Sequence, residues 1–397
     1  MSKQQRESYD IIVAGAGMVG ACAALSLARK GFRIALVDPS AAVIKTAAES
    51  AEYDLRVSAI SPASRNFLSD LGVWPAIDHS RVCDYEKMVI WHDNGDAVVD
   101  FDCAQIAAQS LGTIVENRQI LSALHTACQS QQNIEWLLAN KITALTENSQ
   151  SHLSVCLESG ASLSAQLLIA ADGRESNTRT LAGINSISGR YNQLAIVANV
   201  TTALPHQLTA WQKFLNTGPL AFLPLANGDS SIVWSCDSEP ARALLALDDG
   251  AFCSAISNAF DGRLGKVTGI GERRSFSLGW HNCEQWLRQR VLLIGDAAHS
   301  VHPLAGQGVN LGFSDVLLLT GLIGGLDNPW QRKQLRQFER QRKSETALAT
   351  HLFSALKLVY GADNAMLSRA RDTGMRLVQA NTCVKRGLMR QAMHNMA

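Results

Sequence analysis

The residues with the clearest chemical potential stand in one stretch, where Asp296, His299 and His302 are spaced three residues apart. A carboxylate with two imidazoles can ligate iron or zinc. The segment that follows has few bulky side chains and contains Pro303, Gly306, Gln307, Gly308 and Asn310. Proline and glycine also break the helix that would project three ligands from one face. The stretch therefore favours a flat organic cofactor, which backbone amides can approach, over a metal ion.

A flavin is the flat cofactor that suits this stretch. Asp296 follows a buried-type apolar run, where a carboxylate can bind the ribityl chain. A helix is predicted to start near Gly308, and its positive end would stabilise the negative charge that a flavin ring gains on reduction.

A second glycine motif lies near the amino terminus, in Gly15-Ala16-Gly17-Met18-Val19-Gly20. The first glycine allows a tight turn, the second lets amides approach a pyrophosphate, and the third lets a helix pack closely on a strand. Residues 10–38 have the pattern of one βαβ unit, and Asp38 at its end can bind both hydroxyls of an adenosine ribose. The motif predicts a dinucleotide, but it does not distinguish NAD from FAD.

Composition limits the class of protein. The 397 residues are 47% apolar and carry a formal net charge of +1, which favours a folded globular chain and argues against nucleic acid as a partner. Nine scattered cysteines without a Cys-x-x-Cys pair argue against a disulfide framework and a zinc site. We therefore expect no metal and a reducing, cytoplasmic location.

Two further patterns bear on location. The polar start MSKQQRESYD lacks the apolar core of a signal peptide. The longest apolar stretch, about residues 316–326, is shorter than the ~20 residues that cross a bilayer.

The order of patterns predicts an α/β fold in three parts. Strand-glycine-helix patterns recur at 165–184 and 290–323, whereas 87–101 and 194–234 alternate like antiparallel strands, the latter with a hairpin in LAFLPLANGDSSIVWS. We expect a Rossmann-like FAD-binding domain interleaved with a mixed β-sheet substrate domain, followed by a helical C-terminal region. The predicted boundaries are 1–82, 112–188 and 283–335 for the first, 83–111 and 189–282 for the second, and 336–397 for the third.

At this point the sequence resembles the FAD-dependent aromatic hydroxylases of the para-hydroxybenzoate hydroxylase type, in particular their ubiquinone-biosynthesis branch. The resemblance covers about residues 10–345 in family order. It rests on GAGMVG (15–20), RVSAIS (56–61), GTIVENRQI (112–120), LIAADGRESNTR (168–179), AFLPL (221–225) and GDAAHSVHPLAGQGVNLGF (295–313). Ala171 departs from the family, which more often has glycine there.

The resemblance implies cofactor roles for particular residues. Gly15, Gly17, Gly20 and Asp38 would hold the ADP half of FAD, and Asp296 the ribityl chain. Arg56 and Arg118 would contact FAD near the pyrophosphate and ribityl region, and Asp172 with Gly173 would form a motif linked to both FAD and NAD(P)H. Each has a plainer alternative: Arg56 as a solvated loop charge, Arg118 as a surface arginine at a helix start, and Asp172 as a helix cap.

The resemblance further implies a monooxygenase that uses NADH or NADPH and O2 to hydroxylate the ring of a polyprenylated phenol or benzoquinol. Leu223, Pro224 and Pro303 are candidates for the pocket walls. His299 and His302 are candidate bases, with a structural role for each an equal alternative. Two other functions stay open: a flavin reductase or dehydrogenase acting on an isoprenoid, and a non-catalytic member of a quinone-biosynthesis complex.

A lipophilic substrate implies that the chain reaches the membrane surface. Residues 351–397 carry seven Lys or Arg and two Asp, so this region has a net charge of +5. It could contact anionic lipids or partner proteins, or form a solvated helix face. The sequence leaves open the ring position, the tail length, the choice between NADH and NADPH, and the oligomeric state.

Overall fold

A computed structural model describes residues 7–40, 52–93, 95–147, 152–300, 308–361 and 365–393 of the chain. These ranges contain three β-sheets and ten α-helices. The strands are β1 (Glu7–Ala14), β2 (Ile34–Asp38), β3 (Val57–Ile60), β4 (Cys83–Tyr85), β5 (Lys87–His92), β6 (Val98–Asp102), β7 (Gly112–Glu116), β8 (Ile134–Leu138), β9 (Ile142–Glu147), β10 (Leu153–Leu157), β11 (Ser162–Ala170), β12 (Ser186–Thr202), β13 (Thr209–Leu215), β14 (Gly218–Pro224), β15 (Ser230–Asp237), β16 (Val267–Ile270), β17 (Arg274–Cys283), β18 (Leu287–Arg288), β19 (Val291–Leu293) and β20 (His299–Ser300). The helices are α1 (Met18–Ala28), α2 (Pro62–Asp70), α3 (Asn117–Gln129), α4 (Asn177–Leu181), α5 (Ser238–Leu245), α6 (Asp249–Ala259), α7 (Gly308–Ile323), α8 (Arg332–Gly361), α9 (Ala365–Ala380) and α10 (Thr382–Met393).

The first sheet carries the nucleotide-binding motifs. Its order is β18-β19-β11-β1-β2-β8, and β1 pairs in parallel with both β2 and β11. Ile11, Ile12 and Val13 in β1 are fully buried. Since successive strand residues point to opposite faces, both faces of β1 are covered. The predicted βαβ unit is confirmed as β1, α1 and β2.

The turn between β1 and α1 depends on two glycines. Gly15 has φ +102°, which L side chains rarely adopt. A Cβ on Gly20 would lie 1.9 Å from the carbonyl oxygen of Gly15, so only glycine lets α1 pack this close to the turn. Both observations agree with the predicted roles of the two glycines in turn and packing.

The second sheet is mixed and has the order β20-β17-β12-β15-β14-β13-β5-β6. The predicted hairpin is confirmed, because β14 and β15 are antiparallel with Leu220 opposite Trp234. One face of this sheet packs on α5 and α6. Phe222 of β14 contacts Phe260, with ring centroids 4.0 Å apart, and Phe252 of α6 lies in the same apolar cluster.

A small antiparallel sheet, β3-β7-β4, lies against the other face of the second sheet. Ala59 of β3 and Ile114 of β7 join Ala210 and Leu223 of the second sheet in one buried apolar cluster. We call this contact the intersheet cluster. It brings an apolar surface of β13 and β14 against β3 and β7 of the small sheet.

The predicted fold class is confirmed: a Rossmann-like α/β sheet, an interleaved mixed sheet and a helical C-terminal region. Three elements pair in a sheet other than the one that the predicted domain boundaries imply. β4 pairs with β7 of the small sheet rather than with the second sheet, whereas β20 and the first residues of β12 pair within the second sheet. The chain therefore crosses between sheets a few residues away from the predicted points.

The C-terminal helices pack on the second sheet. Met375 of α9 is buried against Ala97 and Val99 beside β6, and Asp372 accepts hydrogen bonds from the Ala97 amide and the His92 ring. Within the described ranges, no helix is long and apolar enough to cross a bilayer.

We expect Met375→Ala to lower the free energy of unfolding by about 2–4 kcal/mol, because it opens a cavity under α9. Leu377→Ala is the matched control, since Leu377 lies on the same helix with 66% of its surface exposed. We expect this control to change stability by less than about 0.5 kcal/mol. Urea denaturation measures both, and equal losses would contradict the packing of α9 on β6.

Candidate cofactor and substrate site

Three motifs that are distant in sequence meet at one end of the first sheet. A Cβ on Gly15 would lie 2.4 Å from the carbonyl oxygen of Ala171, so the first and second motifs touch. Val19 of α1 packs against Gly295, where a Cβ would lie 3.1 Å from it, so the third motif joins them. Parallel strands bring their carboxyl ends to one edge of a sheet, and ligands bind there in open α/β sheets.

The amino end of α1 is suited to a phosphate group. No side chain caps this helix at Gly17, which leaves its first amides free. Among the described residues, no atom lies within 4 Å of a Cβ placed on Gly17, so none of them fills the space beside it. Free amides and the positive end of the helix attract an anion.

Asp38 lies beside this helix end. One carboxylate oxygen accepts a hydrogen bond from the Ala16 amide at 2.6 Å and the other accepts from the Ser40 amide at 2.8 Å. A carboxylate has about four acceptor positions, so Asp38 keeps acceptor capacity for ribose hydroxyls.

The side chain of Asp296 is reached by solvent, yet the protein around it removes much of the water that would hydrate its charge. Its side chain is exposed, but the surrounding protein raises its pKa, an effect opposed by the charges of His299, Arg56 and Arg174. An accessible carboxylate that is poorly hydrated lies in a concave surface rather than on a convex one. None of the described residues hydrogen-bonds to it, so its oxygens are available to a ligand's hydroxyl groups.

A fully buried carboxylate holds the Asp296 loop in place. Asp315 of α7 accepts hydrogen bonds from the Gly295 amide at 2.8 Å, from His299 Nε2 at 2.9 Å and from Arg342 Nε at 2.6 Å. Burial alone would raise the pKa of Asp315, but His299 and Arg342 lower it, so it stays ionised. His299 also stacks on Trp286, with ring centroids 4.7 Å apart. His299 is therefore enclosed, and its contacts support the structural alternative.

The third motif continues into α7. The side chain of Asn310 accepts from the Ser61 amide and the Ser64 hydroxyl, and donates to the Ala59 carbonyl. These bonds tie the buried side chain of Asn310, and with it α7, to β3 and to the start of α2. Gly308 is the first described residue of α7, and none of the described residues lies within 4 Å of its Cβ position. His302, Pro303, Gly306 and Gln307 lie outside the described residues.

Arg118 belongs to an ion-pair network rather than standing free. It bonds Glu116 at 2.7 Å, and Arg81 bonds the same carboxylate at 2.7 Å. Burial alone would raise the pKa of Glu116, but these arginines and the Asp54 amide lower it. The Nε of Arg118 is buried and has no hydrogen-bond partner among the described residues. Arg56, by contrast, is exposed and lies near Asp296.

Asp172 uses both carboxylate oxygens within its own loop. The Ser176 hydroxyl donates to one oxygen, and the Thr178 amide donates to the other at 2.9 Å. These contacts support the alternative of a cap at the start of α4. Gly173 has φ +82° and nothing near its Cβ position, so this turn has open space beside it.

The two predicted wall residues of β14 point in different directions. Leu223 belongs to the intersheet cluster. Pro224 follows Leu223 in β14 and is opposite Ser230 of β15. Successive strand residues face opposite sides of a sheet, so the Pro224 ring faces away from the intersheet cluster. Pro224 can therefore line the Leu223 side only through its backbone.

Sequence reasoning missed Tyr85, a polar residue of this region. Tyr85 packs against the intersheet cluster, and burial raises its pKa to about 12. A Cβ on Gly112 would lie 2.6 Å from its hydroxyl, so this glycine makes room for the ring. Gly112, at the start of β7, marks the space that the Tyr85 ring occupies. This signal can be recognised only once the pairing of β4 with β7 is known.

Asp315 and Arg342 were also missed. Asp315 stands alone among apolar residues in α7, and an isolated acid in an apolar helix needs a buried partner. That pattern was a usable signal. Its partner Arg342 lies on α8 among many other charges, where nothing in the sequence singles it out.

These residues fit FAD. The free amides at the start of α1 suit the pyrophosphate, and Asp38 suits a ribose. The exposed, desolvated carboxylate of Asp296 suits the hydroxyl groups of the ribityl chain. The described part of the chain contains no group of three metal-ligating side chains that could hold an ion.

Comparisons with known proteins agree with this geometry. Residues 8–350 match the family model described as FAD binding domain. The mitochondrial ubiquinone biosynthesis monooxygenase COQ6 of Danio rerio is 34% identical, over 98% of this chain and 90% of its own length. The ubiquinone hydroxylase UbiL of Rhodospirillum rubrum is 33% identical, over 97% of this chain and 89% of its own.

A solved structure shares the fold. The p-nitrophenol 4-monooxygenase PnpA of Pseudomonas putida has a TM-score of 0.78, covering 98% of this chain and 99% of that chain at 17% identity. Together with the match over residues 8–350, these relatives show that the chain belongs to the FAD-binding-domain family and, within it, to the FAD-dependent monooxygenases.

Proposed function

We propose that this enzyme hydroxylates the aromatic ring of a polyprenylated phenol or benzoquinol in ubiquinone biosynthesis, using NADH or NADPH and O2. The observation that carries the proposal is Asp296, an exposed but desolvated carboxylate at the sheet edge where the three glycine motifs meet. The names of the COQ6 and UbiL relatives, which place both in ubiquinone chemistry, support the same substrate class. An apolar surface suits a ring that carries a prenyl tail.

Bound FAD supplies the redox chemistry: it accepts the hydride and activates O2. The residues of the chain bind and orient it. The amides of α1 beside Gly17 take the pyrophosphate, Asp38 takes the ribose, and Asp296 takes the ribityl chain. The amides of α7 at Gly308 and Asn310 face the ring and stabilise its negative charge.

The remaining predicted residues have supporting roles in this proposal. His299 positions the Asp296 loop through Asp315, and Asp172 shapes the turn before α4. Arg118 contributes its unpartnered Nε, and Arg56 contributes its charge. Pro303 and His302 stay candidates for the substrate side, and Gly306 and Gln307 for the cofactor side.

The intersheet cluster excludes water and positions the substrate. Leu223, Ala210 and Ile114 are apolar and buried there, and a dry site protects an activated oxygen species from loss to solvent. Tyr85 stays protonated at neutral pH because burial raises its pKa to about 12. It can therefore donate a hydrogen bond to a ring oxygen but does not act as a base.

We propose the same domain division as the sequence predicts: 1–82, 112–188 and 283–335 bind FAD, 83–111 and 189–282 bind the substrate, and 336–397 form the helical C-terminal region. The three sheets support it, apart from the crossings at β4, β12 and β20.

The holoenzyme is expected to be yellow and to insert one oxygen atom from isotope-labelled O2 into a short-prenyl phenol when NADH or NADPH is present. Mass spectrometry of the product and oxygen consumption measure this. The control is the same mixture without O2. A product that has gained hydrogen and no oxygen would instead establish the reductase alternative.

Asp296→Asn should have opposite effects on the two forms of the protein. Because the pKa of Asp296 is raised in the folded protein, its ionised carboxylate lowers the free energy of unfolding at pH values above that pKa. Asparagine carries no charge, so the variant apoprotein should melt at a higher temperature. FAD affinity should fall about tenfold to hundredfold, because a charged hydrogen-bond partner is lost.

FAD binding by the wild type should weaken as the pH is lowered, because the protonated carboxylate is a poorer acceptor. The weakening should begin at a higher pH than for an ordinary aspartate, because the pKa of Asp296 is raised. The variant should lack this dependence. Flavin fluorescence titration and thermal melts measure both effects. The control is Glu158→Gln, an exposed acid in a turn; a similar loss of FAD in the control would refute the ribityl assignment.

We further propose peripheral contact with anionic membrane surfaces through α9. Arg369, Arg376 and Leu377 are exposed on this helix. Two other cations of the basic C-terminal region, Arg371 and Lys385, are buried against the second sheet, so only part of the +5 charge faces solvent. Arginines attract anionic headgroups, and an exposed leucine can enter the interface.

Arg369→Ser/Arg376→Ser should weaken binding of the full chain to mixed phosphatidylcholine and phosphatidylglycerol vesicles about 30-fold, since each arginine contributes about 1 kcal/mol. Co-sedimentation at low and high salt measures it. Arg332→Ser/Lys333→Ser, on the exposed first turn of α8, is the control. Equal binding by both double variants would dismiss α9 as the contact.

A further inference from the structure

Two polar side chains lie in the middle of the apolar face that the second sheet turns toward the FAD-binding part. Ser231 of β15 is opposite Asn199 of β12 on one side and opposite Leu223 of β14 on the other. Directly opposed residues of antiparallel strands share a face, with Cβ atoms about 4.5–5.5 Å apart. Since Leu223 belongs to the intersheet cluster, all three side chains point to that cluster.

Both polar side chains have an atom without a partner. The hydroxyl of Ser231 is buried and makes no hydrogen bond, and Ser231 is 1% exposed. The Oδ1 of Asn199 is likewise buried and unpartnered. The orientation of the amide is fixed, because its Nδ2 donates to the carbonyl oxygen of Tyr53 at 3.1 Å, and a carbonyl can only accept. One acceptor and one hydroxyl are therefore left facing the cluster.

Leaving these atoms unpaired destabilises the fold. A buried polar atom without a partner costs about 1–3 kcal/mol, and a valine or leucine would fill the same position in a sheet at no such cost. Val233, the next residue of β15 on this face, shows the usual solution, since it is apolar and packs against the intersheet cluster. A ligand that brings its own hydrogen-bonding group would satisfy both atoms.

We propose that Ser231 and Asn199 together bind one hydroxyl group of the substrate's aromatic ring. The ring hydroxyl donates its proton to Asn199 Oδ1 and accepts a hydrogen bond from the Ser231 hydroxyl. Both protein groups are neutral, so the pair selects a neutral phenol or quinol over an ionised ring substituent. Sharing the phenol proton with Asn199 raises the electron density of the ring without a charged base. The inference rests on the proposed function, for which it names the recognition group.

The strand itself provides a matched control. Ser230 is the neighbouring serine, is 0% exposed and also has an unpartnered hydroxyl. It is opposite Val200 and Pro224, so it faces the side of the sheet that packs on α5 and α6. Ser231→Ala and Ser230→Ala therefore remove the same atom from the same strand at equal burial, on opposite faces.

The test compares the two variants as holoenzymes without NAD(P)H. The ligands are a short-prenyl phenol and the same compound without its hydroxyl, and affinity is measured from the change in flavin absorbance. We expect Ser231→Ala to weaken phenol binding about tenfold, the equivalent of one hydrogen bond, and to leave binding of the analogue unchanged. Ser230→Ala should change neither. Asn199→Leu should add a comparable loss for the phenol alone.

Several results would overturn the proposal. If Ser231→Ala changed the melting temperature but not phenol affinity, the two atoms would hold a structural water instead. Equal losses in Ser230→Ala and Ser231→Ala would show a general disturbance of β15. The proposed function is judged separately: a wild type that binds the phenol with this Ser231 dependence but inserts no oxygen contradicts hydroxylation and leaves the recognition pair standing.

Discussion

The carboxylate of Asp315 is the interaction on which the site depends. It has no contact with solvent, and it is shared by the amide of Gly295, the ring of His299 and the guanidinium of Arg342. These partners come from the turn after β19, from β20 of the second sheet and from α8, so one anion on α7 fixes three other parts of the chain. A buried charge is tolerated only when such partners surround it. Any shift of α7 would leave the charge unpaired, so the loop that presents Asp296 is held rigidly.

The site is formed where two different kinds of surface meet. The end of the first sheet offers open amides, acids and arginines, which suit a charged dinucleotide. The second sheet offers Leu223, Ala210 and their neighbours, with Ser231 and Asn199 as isolated polar groups. A cofactor that is polar at one end and a flat ring at the other can span both surfaces. The division of the chain into two interleaved sheets therefore matches the division of chemistry between cofactor and substrate.

Local sequence patterns predicted the nucleotide half of the molecule well. Gly15, Gly17 and Gly20 constrain a turn within six residues, and Asp38 closes a unit of about thirty, so short-range rules suffice. The start of α7 at Gly308 and the hairpin of β14 with β15 are equally local. These features needed no knowledge of tertiary contacts.

The substrate half could not be read in this way. Ser231 and Asn199 become neighbours only through the register of β12 with β15, and a shift of one residue would turn each side chain to the other face. Tyr85 reaches the intersheet cluster only through the pairing of β4 with β7. Distance along the chain also hid the partners of Asn310, which lie about 250 residues earlier in β3 and at the start of α2. Charge counting also overestimated the basic surface, since Arg371 and Lys385 are buried.

The order in which the central strands pair has a consequence for synthesis. β1 lies between β2 and β11, and β11 in turn lies beside β19. On the ribosome, the apolar strand β1 therefore emerges long before its second neighbour, and the sheet stays open until about residue 293 has been translated. The antiparallel meander of β13, β14 and β15 is contiguous and can form during elongation. The nascent chain therefore leaves one edge of β1, with the buried residues Ile11, Ile12 and Val13, unpaired until β11 has been synthesised.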